Sequence, residues 1–411
     1  MIVRYASYLE ASGYALSAIA TIRALVNAGC VVEWVPLLRS GADVVLAQGD
    51  SLASSVRQLA ERDETLADLP ALMAATRVDT NAQERRTVVA QLTPEHLAFG
   101  LAFSRASAGD GVKRRIAYTT WETDRIPSHW LPLLRTADAL VVPSRFNAAA
   151  FGTSGYAGPI HTIGHVRRHR FNEFSAAELS EVRQSFGLNE VDTVFHTINR
   201  FDPRKAIEPL VRAFAAAFTA ADPVALVIKT THVAHGPPPW YPTVDPTKEV
   251  ARILQSCARG DANAPMQPPK IRVITEGDGS GRNVDALHMI GDCYVSLTRG
   301  EGFGMGASEA ATLGTPVIMT AWSGHMDFLG PTWLGGLPYR LEAAPVWPIA
   351  PPSYWSDQRW AVAEPAAAVD RMRQFFADPV PFRREAHAMQ TRIGNDFSEA
   401  AIARKWREVL L

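Results

Sequence analysis

The residues of this chain best suited to chemistry are two glutamates, Glu301 and Glu309, which are separated by seven residues. Four glycines at alternate positions surround the first of them: Gly300, Gly302, Gly304 and Gly306. Glycines expose backbone N–H groups and allow a ligand to approach the main chain closely. Carboxylates accept hydrogen bonds from sugar or ribose hydroxyls, and a helix N-terminus attracts a phosphate or a polyol oxygen. The pattern therefore predicts a binding turn, and a plain strand-to-helix turn is the alternative.

A second group of charged residues occurs earlier in the chain. Arg200, Arg204 and Lys205 follow a predicted apolar strand that ends at Ile198. Arginine can hold two phosphate oxygens at once, and lysine adds a mobile point charge. Cations at the carboxyl end of a strand in an α/β sheet suit a diphosphate. The alternative is an exposed basic turn, and for Arg204 the sequence does not choose between a helper role and simple exposure.

Short apolar runs alternate with helical patterns along most of the chain, which is typical of parallel α/β sheets. We predict two such series, separated by a linker between Gly164 and Ser175. One helix is expected over 50–69, and an irregular, Pro- and Trp-rich stretch over 335–357. The two glutamates then lie on a strand–turn–helix–strand unit whose helix begins near Met305 and ends at Gly314.

The segment EGFGMGASEAATLGTPVI resembles the signature of retaining GT-B glycosyltransferases, especially the large family 4 group. The resemblance implies an α/β GT-B fold, in which two Rossmann-like domains face a central cleft and a C-terminal helix crosses back to the N-terminal domain. The expected boundaries are 1–170 for the acceptor-binding domain, 171–390 for the nucleotide-sugar-binding domain and 391–411 for the last helix.

The same resemblance implies roles for the charged residues. Arg200 and Lys205 match the positions that bind the donor diphosphate, and Glu309 would hold the ribose hydroxyls. Glu301 would hold the transferred sugar, assisted by backbone N–H groups of the turn. The donor-binding residues of that turn are Gly302, Phe303, Gly304 and Met305.

Three further candidate residues lie outside these segments. Gly13 follows the first strand and resembles the family's N-terminal glycine loop, although a structural turn glycine fits equally well. Glu122 lies where many relatives place a histidine near the sugar. It is a candidate for bonding the sugar or deprotonating the acceptor, against a purely structural role. Glu276 opens a glycine-rich loop near the expected base pocket. The predicted catalytic set is Glu301, Arg200, Lys205 and Glu122.

The chain departs from the family at the end of its N-terminal half. Many members have an Asn-Gly-Val-Asp run there, whereas this chain continues from Gly164 into a basic cluster, Arg-Arg-His-Arg at 167–170. This cluster could meet an anionic acceptor, a membrane surface or nucleic acid. A solvated linker face is the interpretation we favour.

The composition argues against several other classes of protein. The chain has 411 residues with 41 basic and 42 acidic side chains, so nothing global indicates a polyanionic partner. Cys30, Cys257 and Cys293 lack the spacing of a zinc site or a disulfide framework. The N-terminus does not resemble a signal peptide and no apolar run is long enough to span a membrane, so we expect a cytoplasmic protein.

We therefore predict a retaining glycosyltransferase that moves a sugar from a nucleotide diphosphate sugar to an acceptor hydroxyl. No cofactor is expected and no metal, because no Asp-x-Asp is placed as in the metal site of the other major glycosyltransferase fold. The alternative is a non-catalytic or epimerase-type GT-B protein that binds a nucleotide sugar. The sequence leaves open the donor nucleotide, the oligomeric state and the acceptor, which could be a glycan, a lipid-linked glycan, a small molecule, a protein or a modified nucleic acid.

Overall fold

The computed structural model of the chain describes residues 2–41, 43–76, 86–106, 112–168, 170–230, 245–260, 267–275, 281–345 and 353–411. These residues form two compact units. The first unit consists of Met1–Arg168 together with Gly394–Leu411, and the second unit is His169–Ile393. Among the described residues, no helix is both long enough and apolar enough to cross a membrane.

The first unit is a sheet with helices between its strands. In chain order its elements are β1 (Ile2–Tyr8), α1 (Gly13–Asn27), β2 (Val31–Ser40), β3 (Asp43–Leu46), α2 (Gly49–Arg62), α3 (Leu69–Ala75), β4 (Arg86–Gln91), α4 (Pro94–Ala106), β5 (Val112–Tyr118), α5 (Trp130–Leu134), β6 (Ala139–Val142), α6 (Arg145–Thr153) and β7 (Ile160–Thr162). The strand order is β3-β2-β1-β4-β5-β6-β7. Neighbouring strands are parallel except for β2 and β3, which are antiparallel.

The second unit repeats this arrangement. Its elements, followed by the last helix of the chain, are α7 (Ala176–Ser185), β8 (Thr193–Ile198), α8 (Ile207–Ala217), β9 (Val224–Lys229), α9 (Pro246–Gly260), β10 (Lys270–Ile274), α10 (Gly281–Ile290), β11 (Cys293–Ser296), α11 (Met305–Thr312), β12 (Val317–Thr320), α12 (Met326–Leu329), β13 (Gly336–Leu337), β14 (Tyr339–Ala343), β15 (Arg359–Ala363), α13 (Pro365–Ala377), α14 (Val380–Asp396) and α15 (Glu399–Leu410). The parallel sheet has the order β10-β9-β8-β11-β12-β13, and β14 pairs with β15 in a separate antiparallel sheet.

Apolar strands covered by helices explain why each unit folds. In the second unit, Phe195 of β8 contacts aromatic rings from α8 and α13, with ring centroids 5.7 Å from Phe214 and 5.5 Å from Phe375. All three side chains are fully buried. Burial of such apolar surface is the main favourable term in folding.

The last helix, α15, packs on the first unit. Trp406 of α15 is fully buried, and its ring contacts Tyr5 of β1 at 6.1 Å and Tyr118 of β5 at 5.7 Å. The predicted α/β class is thus confirmed, together with the return of the C-terminal helix to the N-terminal part of the chain. The predicted third segment, 391–411, contains the end of α14 and all of α15.

Two expectations about local structure are wrong. The single helix expected over 50–69 is interrupted at Asp63, whose carboxylate accepts hydrogen bonds from the backbone N–H and the hydroxyl of Thr65. A short polar side chain of this kind competes with the helical hydrogen-bond pattern and ends it. The stretch 335–357, expected to be irregular, contains β13 and β14. Their pairing partners lie elsewhere in the chain, so local composition did not reveal them.

Candidate functional site

The two charged segments predicted from the sequence lie at one edge of the second unit's sheet. Strands β8 and β11 are neighbouring parallel strands, so the turns that follow them emerge side by side. The turn after β8 contains Arg204 and Lys205, and the turn after β11 contains Glu301. The backbone N–H of Arg299 donates to the carbonyl oxygen of Arg204 over 2.8 Å and joins the two turns.

A group of charged side chains surrounds Glu301, whose residue surface is only 8% exposed. Lys205 Nζ donates to its Oε1 over 2.5 Å, and Thr298 Oγ1 donates to the same oxygen over 2.9 Å. Arg204 Nη1 lies 3.4 Å from Oε2 and donates to the Gly300 carbonyl oxygen over 2.6 Å. Arg204, for which the sequence left exposure open, is therefore mostly buried and tied to the glycine turn.

The electrostatics of this group keep Glu301 ionised. Burial by itself raises the pKa of the Glu301 carboxyl, but the charges of Lys205 and Arg204 and the hydrogen bonds from Lys205 and Thr298 outweigh burial. The resulting pKa is about 2, below the ordinary 4.5. A carboxylate flanked by two cations is a strong hydrogen-bond acceptor with no proton of its own to donate.

The ion pair should make stability depend on pH in a defined window. Because the folded pKa of Glu301 is below its unfolded value, the unfolded chain binds more protons there. The contribution, on the order of 3 kcal/mol, is present above about pH 4.5 and declines as the pH falls towards 2. We expect the difference in unfolding free energy between the wild type and Glu301→Gln to shrink across this window. A difference that does not vary with pH would contradict the ion pair.

Unusual backbone conformations hold the Glu301 turn in place. Ser323 adopts a φ of 90°, which is rare for a residue with a side chain, and its Oγ accepts a hydrogen bond from the Glu301 N–H over 2.9 Å. The next residue, Gly324, donates its N–H to the Glu301 carbonyl oxygen over 2.9 Å. Ala206, directly after Lys205, is also left-handed, with a φ of 51°. Strained residues persist where surrounding contacts fix them, often at functional sites.

The glycine turn leads into α11 through Gly304, whose φ is 91°. The ring of Phe303 is buried against Phe328, with a centroid distance of 5.3 Å, so only its backbone can meet a ligand. Gly306 lies over the Tyr294 hydroxyl, and a methyl group there would be 2.7 Å from that oxygen. Met305 begins α11 and is partly exposed. The predicted turn of glycines before a helix N-terminus is therefore present.

Glu309, on α11, is partly exposed. Its Oε2 lies 3.3 Å from Nε2 of His288, a residue of α10 that was not predicted for the site. His288, Ser323 and Thr298 are additions from the structure. His288 and Ser323 come from other elements than Glu301, so their sequence spacing does not mark them, whereas Thr298 lies three residues before Glu301 in the same turn.

Two further residues of the second unit, Arg200 and Glu276, were predicted to bind the donor. Arg200 lies in the turn after β8 with an exposed side chain, and its carbonyl oxygen accepts from the N–H of Asp202 over 3.0 Å. Asp202 in turn caps the short turn that carries Lys205, accepting its N–H over 3.0 Å. Glu276 lies outside the described residues.

In the first unit, the Gly13 turn and the Glu122 segment meet. Gly13 is exposed and begins α1. The adjacent Tyr14 hydroxyl lies 3.1 Å from Thr119 Oγ1 and accepts from the N–H of Thr120 over 3.3 Å. Burial raises the pKa of Tyr14, and the charge of Glu122 raises it further. Glu122 itself is partly exposed.

The basic cluster at 167–170 is partly engaged within the first unit. Arg168 Nη2 lies 3.4 Å from the Asp63 carboxylate, and the N–H of Arg167 donates to the Phe397 carbonyl oxygen over 2.8 Å. Arg170 is exposed, and His169 lies outside the described residues. The favoured interpretation of a solvated linker face therefore does not hold for Arg168, whose side chain is 18% exposed.

Comparison with solved structures identifies the fold. HepE of Anabaena, in complex with UDP and glucose, superposes with a TM-score of 0.62 at 15% identity, covering 100% of this chain and 99% of HepE. Sucrose-phosphate synthase from Thermosynechococcus elongatus gives 0.62 at 16% identity, with coverage of 100% and 98%. A glycosyltransferase from Rickettsia africae gives 0.63 at 14% identity, with coverage of 100% and 97%. The fold is therefore that of the GT-B glycosyltransferases, as predicted.

The family is indicated by the segment that carries the two glutamates. Residues 287–405 match the family described as "Family 4 Glycosyltransferase in conflict systems". The match confirms the resemblance to family 4 over this segment, and it supports a glycosyltransferase enzyme. A search of curated proteins gave no match.

Proposed function

We propose that the chain is a retaining glycosyltransferase that transfers a sugar from a nucleotide diphosphate sugar to an acceptor hydroxyl without a metal ion. The observation that carries the proposal is the meeting of Lys205 and Glu301, 2.5 Å apart at the edge of the second unit's sheet. Lys205 would supply a cation for the leaving diphosphate, and Glu301 would supply a carboxylate for the sugar hydroxyls. Ligands of open α/β sheets bind at this carboxyl edge of the strands.

In this proposal, catalysis rests on charge stabilisation. Negative charge develops on the leaving diphosphate as the glycosidic bond breaks, and preorganised cations lower the energy of that state. Lys205 and Arg200 would contact the diphosphate. The first backbone N–H groups of α11 would add partial positive charge from the helix end. Arg204 donates a hydrogen bond to the Gly300 carbonyl oxygen, so its role is to stabilise the conformation of the glycine turn.

Glu301 and Glu309 would bind the two sugars of the donor. The ionised carboxylate of Glu301 accepts hydrogen bonds from hydroxyls of the transferred sugar, and Glu309 accepts them from the ribose. The ion pair with Lys205 means that donor binding must share or displace a contact already present. We therefore expect Lys205 to bridge the carboxylate and the diphosphate when the donor is bound.

Two parts of the proposal, retention of the anomeric configuration and independence of a metal ion, are supported by the residue types present and by the family resemblance. The sequence offers no residue that stands out as a covalent nucleophile, and the family resemblance implies front-face attack guided by the leaving phosphate. In the described part of the chain there is no group of three or more His, Cys, Asp or Glu side chains that could hold a metal. Retention, metal independence and a cytoplasmic location stay predictions, and the identity of the acceptor stays open.

The first test is binding of the donor. HepE has been solved with UDP-glucose, which makes UDP and its sugars the first members of a panel that includes GDP and ADP sugars. A ligand at 100 times its Kd stabilises a protein by about 2.7 kcal/mol. We therefore expect one nucleotide series to raise the melting temperature by roughly 5 °C or more.

A functional assay then separates the transferase from a binding module. With the donor that stabilises the protein, slow hydrolysis in the absence of acceptor should release the sugar with the anomeric configuration of the donor, as read by proton NMR at early times. The rate should be unchanged by EDTA. An inverted product, or strict dependence on a metal, would overturn that part of the proposal, and binding without turnover across acceptor pools would favour a non-catalytic protein.

A further inference from the structure

A buried chain of hydrogen bonds leads from the sheet of the second unit to Glu309. Nε2 of His196, on β8, lies 3.1 Å from Nδ1 of His288, on α10. Nε2 of His288 lies 3.3 Å from Oε2 of Glu309, on α11. His196 and His288 are 0% and 1% exposed. Burying two imidazoles is costly unless they are hydrogen-bonded, and the contacts in this chain offset part of that cost.

The direction of these bonds follows from the chemistry of the groups. An ionised carboxylate only accepts hydrogen bonds, so Nε2 of His288 carries a proton and donates to Glu309. With its Nε2 donating to Glu309, His288 can accept at Nδ1 from the Nε2–H of His196. Burial lowers the pKa of His196 well below its ordinary value, so that ring is neutral.

The surrounding residues fix both rings. Gly291 lies so close to His196 that a methyl group there would be 2.2 Å from Nδ1. The ring of Tyr294 lies alongside His288, with 6.2 Å between centroids and an interplanar angle of 26°. His196 is perpendicular to His288, at 5.1 Å and 85°. This close packing restricts the movement of both rings and so favours one position of the donor nitrogen of His288 relative to α11.

We propose that His288 is a positioning residue that orients the Glu309 carboxylate for the ribose hydroxyls of the donor. This inference rests on the proposed function and adds a residue to it. Glu309 has several rotatable bonds, and side-chain freedom lost on binding reduces affinity. A carboxylate already held at Oε2 meets the ribose without that loss. His196 bonds to Nδ1 of His288 and thereby sets the tautomer of His288.

The test measures discrimination for the ribose rather than binding alone. Isothermal titration would compare UDP with 2′,3′-dideoxy-UDP, and the matching guanosine and adenosine pairs, on the wild type and on variants. In the wild type we expect the ribonucleotide of one pair to bind about tenfold tighter or more, the effect of a charge-assisted hydrogen bond. His288→Leu should lose most of this ratio, while its affinity for the dideoxy nucleotide stays near that of the wild type.

Conservative and compensated variants separate positioning from folding. His288→Gln places an amide N–H near the position of Nε2 and should keep much of the ribose preference. The double variant His196→Phe/His288→Leu leaves no buried donor unpaired, so it should fold and still lose the preference. Melting curves of each variant establish that it is folded.

The outcomes are distinct. A wild type that prefers the ribonucleotide, with the same preference in folded His288→Leu, overturns the role of His288 but leaves the proposed function standing. A wild type that binds a nucleotide without any ribose preference overturns the assignment of Glu309 and the inference with it. A wild type that binds none of the nucleotides overturns the proposed function and, through it, this inference.

Discussion

Replacing Lys205 by alanine is expected to reduce glycosyl transfer by about 10²- to 10³-fold, the usual cost of removing one preorganised donor from a developing charge. The side chain that is lost pairs with Glu301 at 2.5 Å in the structure and is proposed to contact the leaving diphosphate. Both the chemical step and donor affinity should suffer. The measurement is kcat and KM for the donor identified by thermal shift.

The controls for Lys205 lie in the same part of the chain. Arg212 is on α8, pairs with Glu208 at 2.7 Å and is 42% exposed, so Arg212→Ala should leave transfer unchanged. Lys205→Ala also leaves Glu301 with less compensating charge, and the double variant Lys205→Ala/Glu301→Gln removes that penalty. If the double variant recovered both folding and activity, neither Lys205 nor Glu301 would have the direct role proposed for it.

Replacing Gly324 by alanine is expected to destabilise the second unit by about 3 kcal/mol, because a well-packed site cannot accept the extra methyl group. The added Cβ would lie 2.0 Å from the Gly302 carbonyl oxygen and 2.8 Å from that of Glu301. Both are backbone atoms, so relief requires the Glu301 turn itself to move. Urea unfolding measures the loss of stability, and any folded fraction should have weakened donor binding.

A second glycine provides a matched control. Gly394 lies inside α14, and a methyl group added there would have nothing within 4 Å. Alanine favours a helix over glycine, so Gly394→Ala should be neutral or stabilise by about 0.5–1 kcal/mol. Equal effects of the two substitutions would show that steric conflict at Gly324 is not the cause.

Several features were predicted because they depend only on neighbours in the chain. The helix of the glutamate segment was expected to end at Gly314, and α11 ends at Thr312 with Gly314 in the left-handed conformation that follows many helices. Ser144 caps α6 through an equally local contact, because its Oγ accepts from the N–H of Asn147 over 3.2 Å. Caps and glycine stops have local causes, so a pattern of a few residues indicates them.

Other features could not be predicted, because their partners are distant in sequence. The sequence does not choose between a helper role and exposure for Arg204, and only its bond to the Gly300 carbonyl oxygen decides the question. The role of Glu276 near the base pocket stays a prediction, because this residue lies outside the described part of the chain. The ribose role of Glu309 is untested too, but the structure supplies the neighbour, His288, that makes it testable.

The sequence by itself determined the alternation of strands and helices, the two charged turns and the resemblance to family 4 glycosyltransferases. Those features follow from periodicity, glycine conformation and residue type, which are local. The tertiary structure alone decided that Lys205 meets Glu301 and that His196 and His288 lead to Glu309. Both depend on the strand order, which sets β8 beside β11 although α8, β9, α9, β10 and α10 lie between them in the chain. Strand order results from packing over the whole sheet, and no short pattern of residues encodes it.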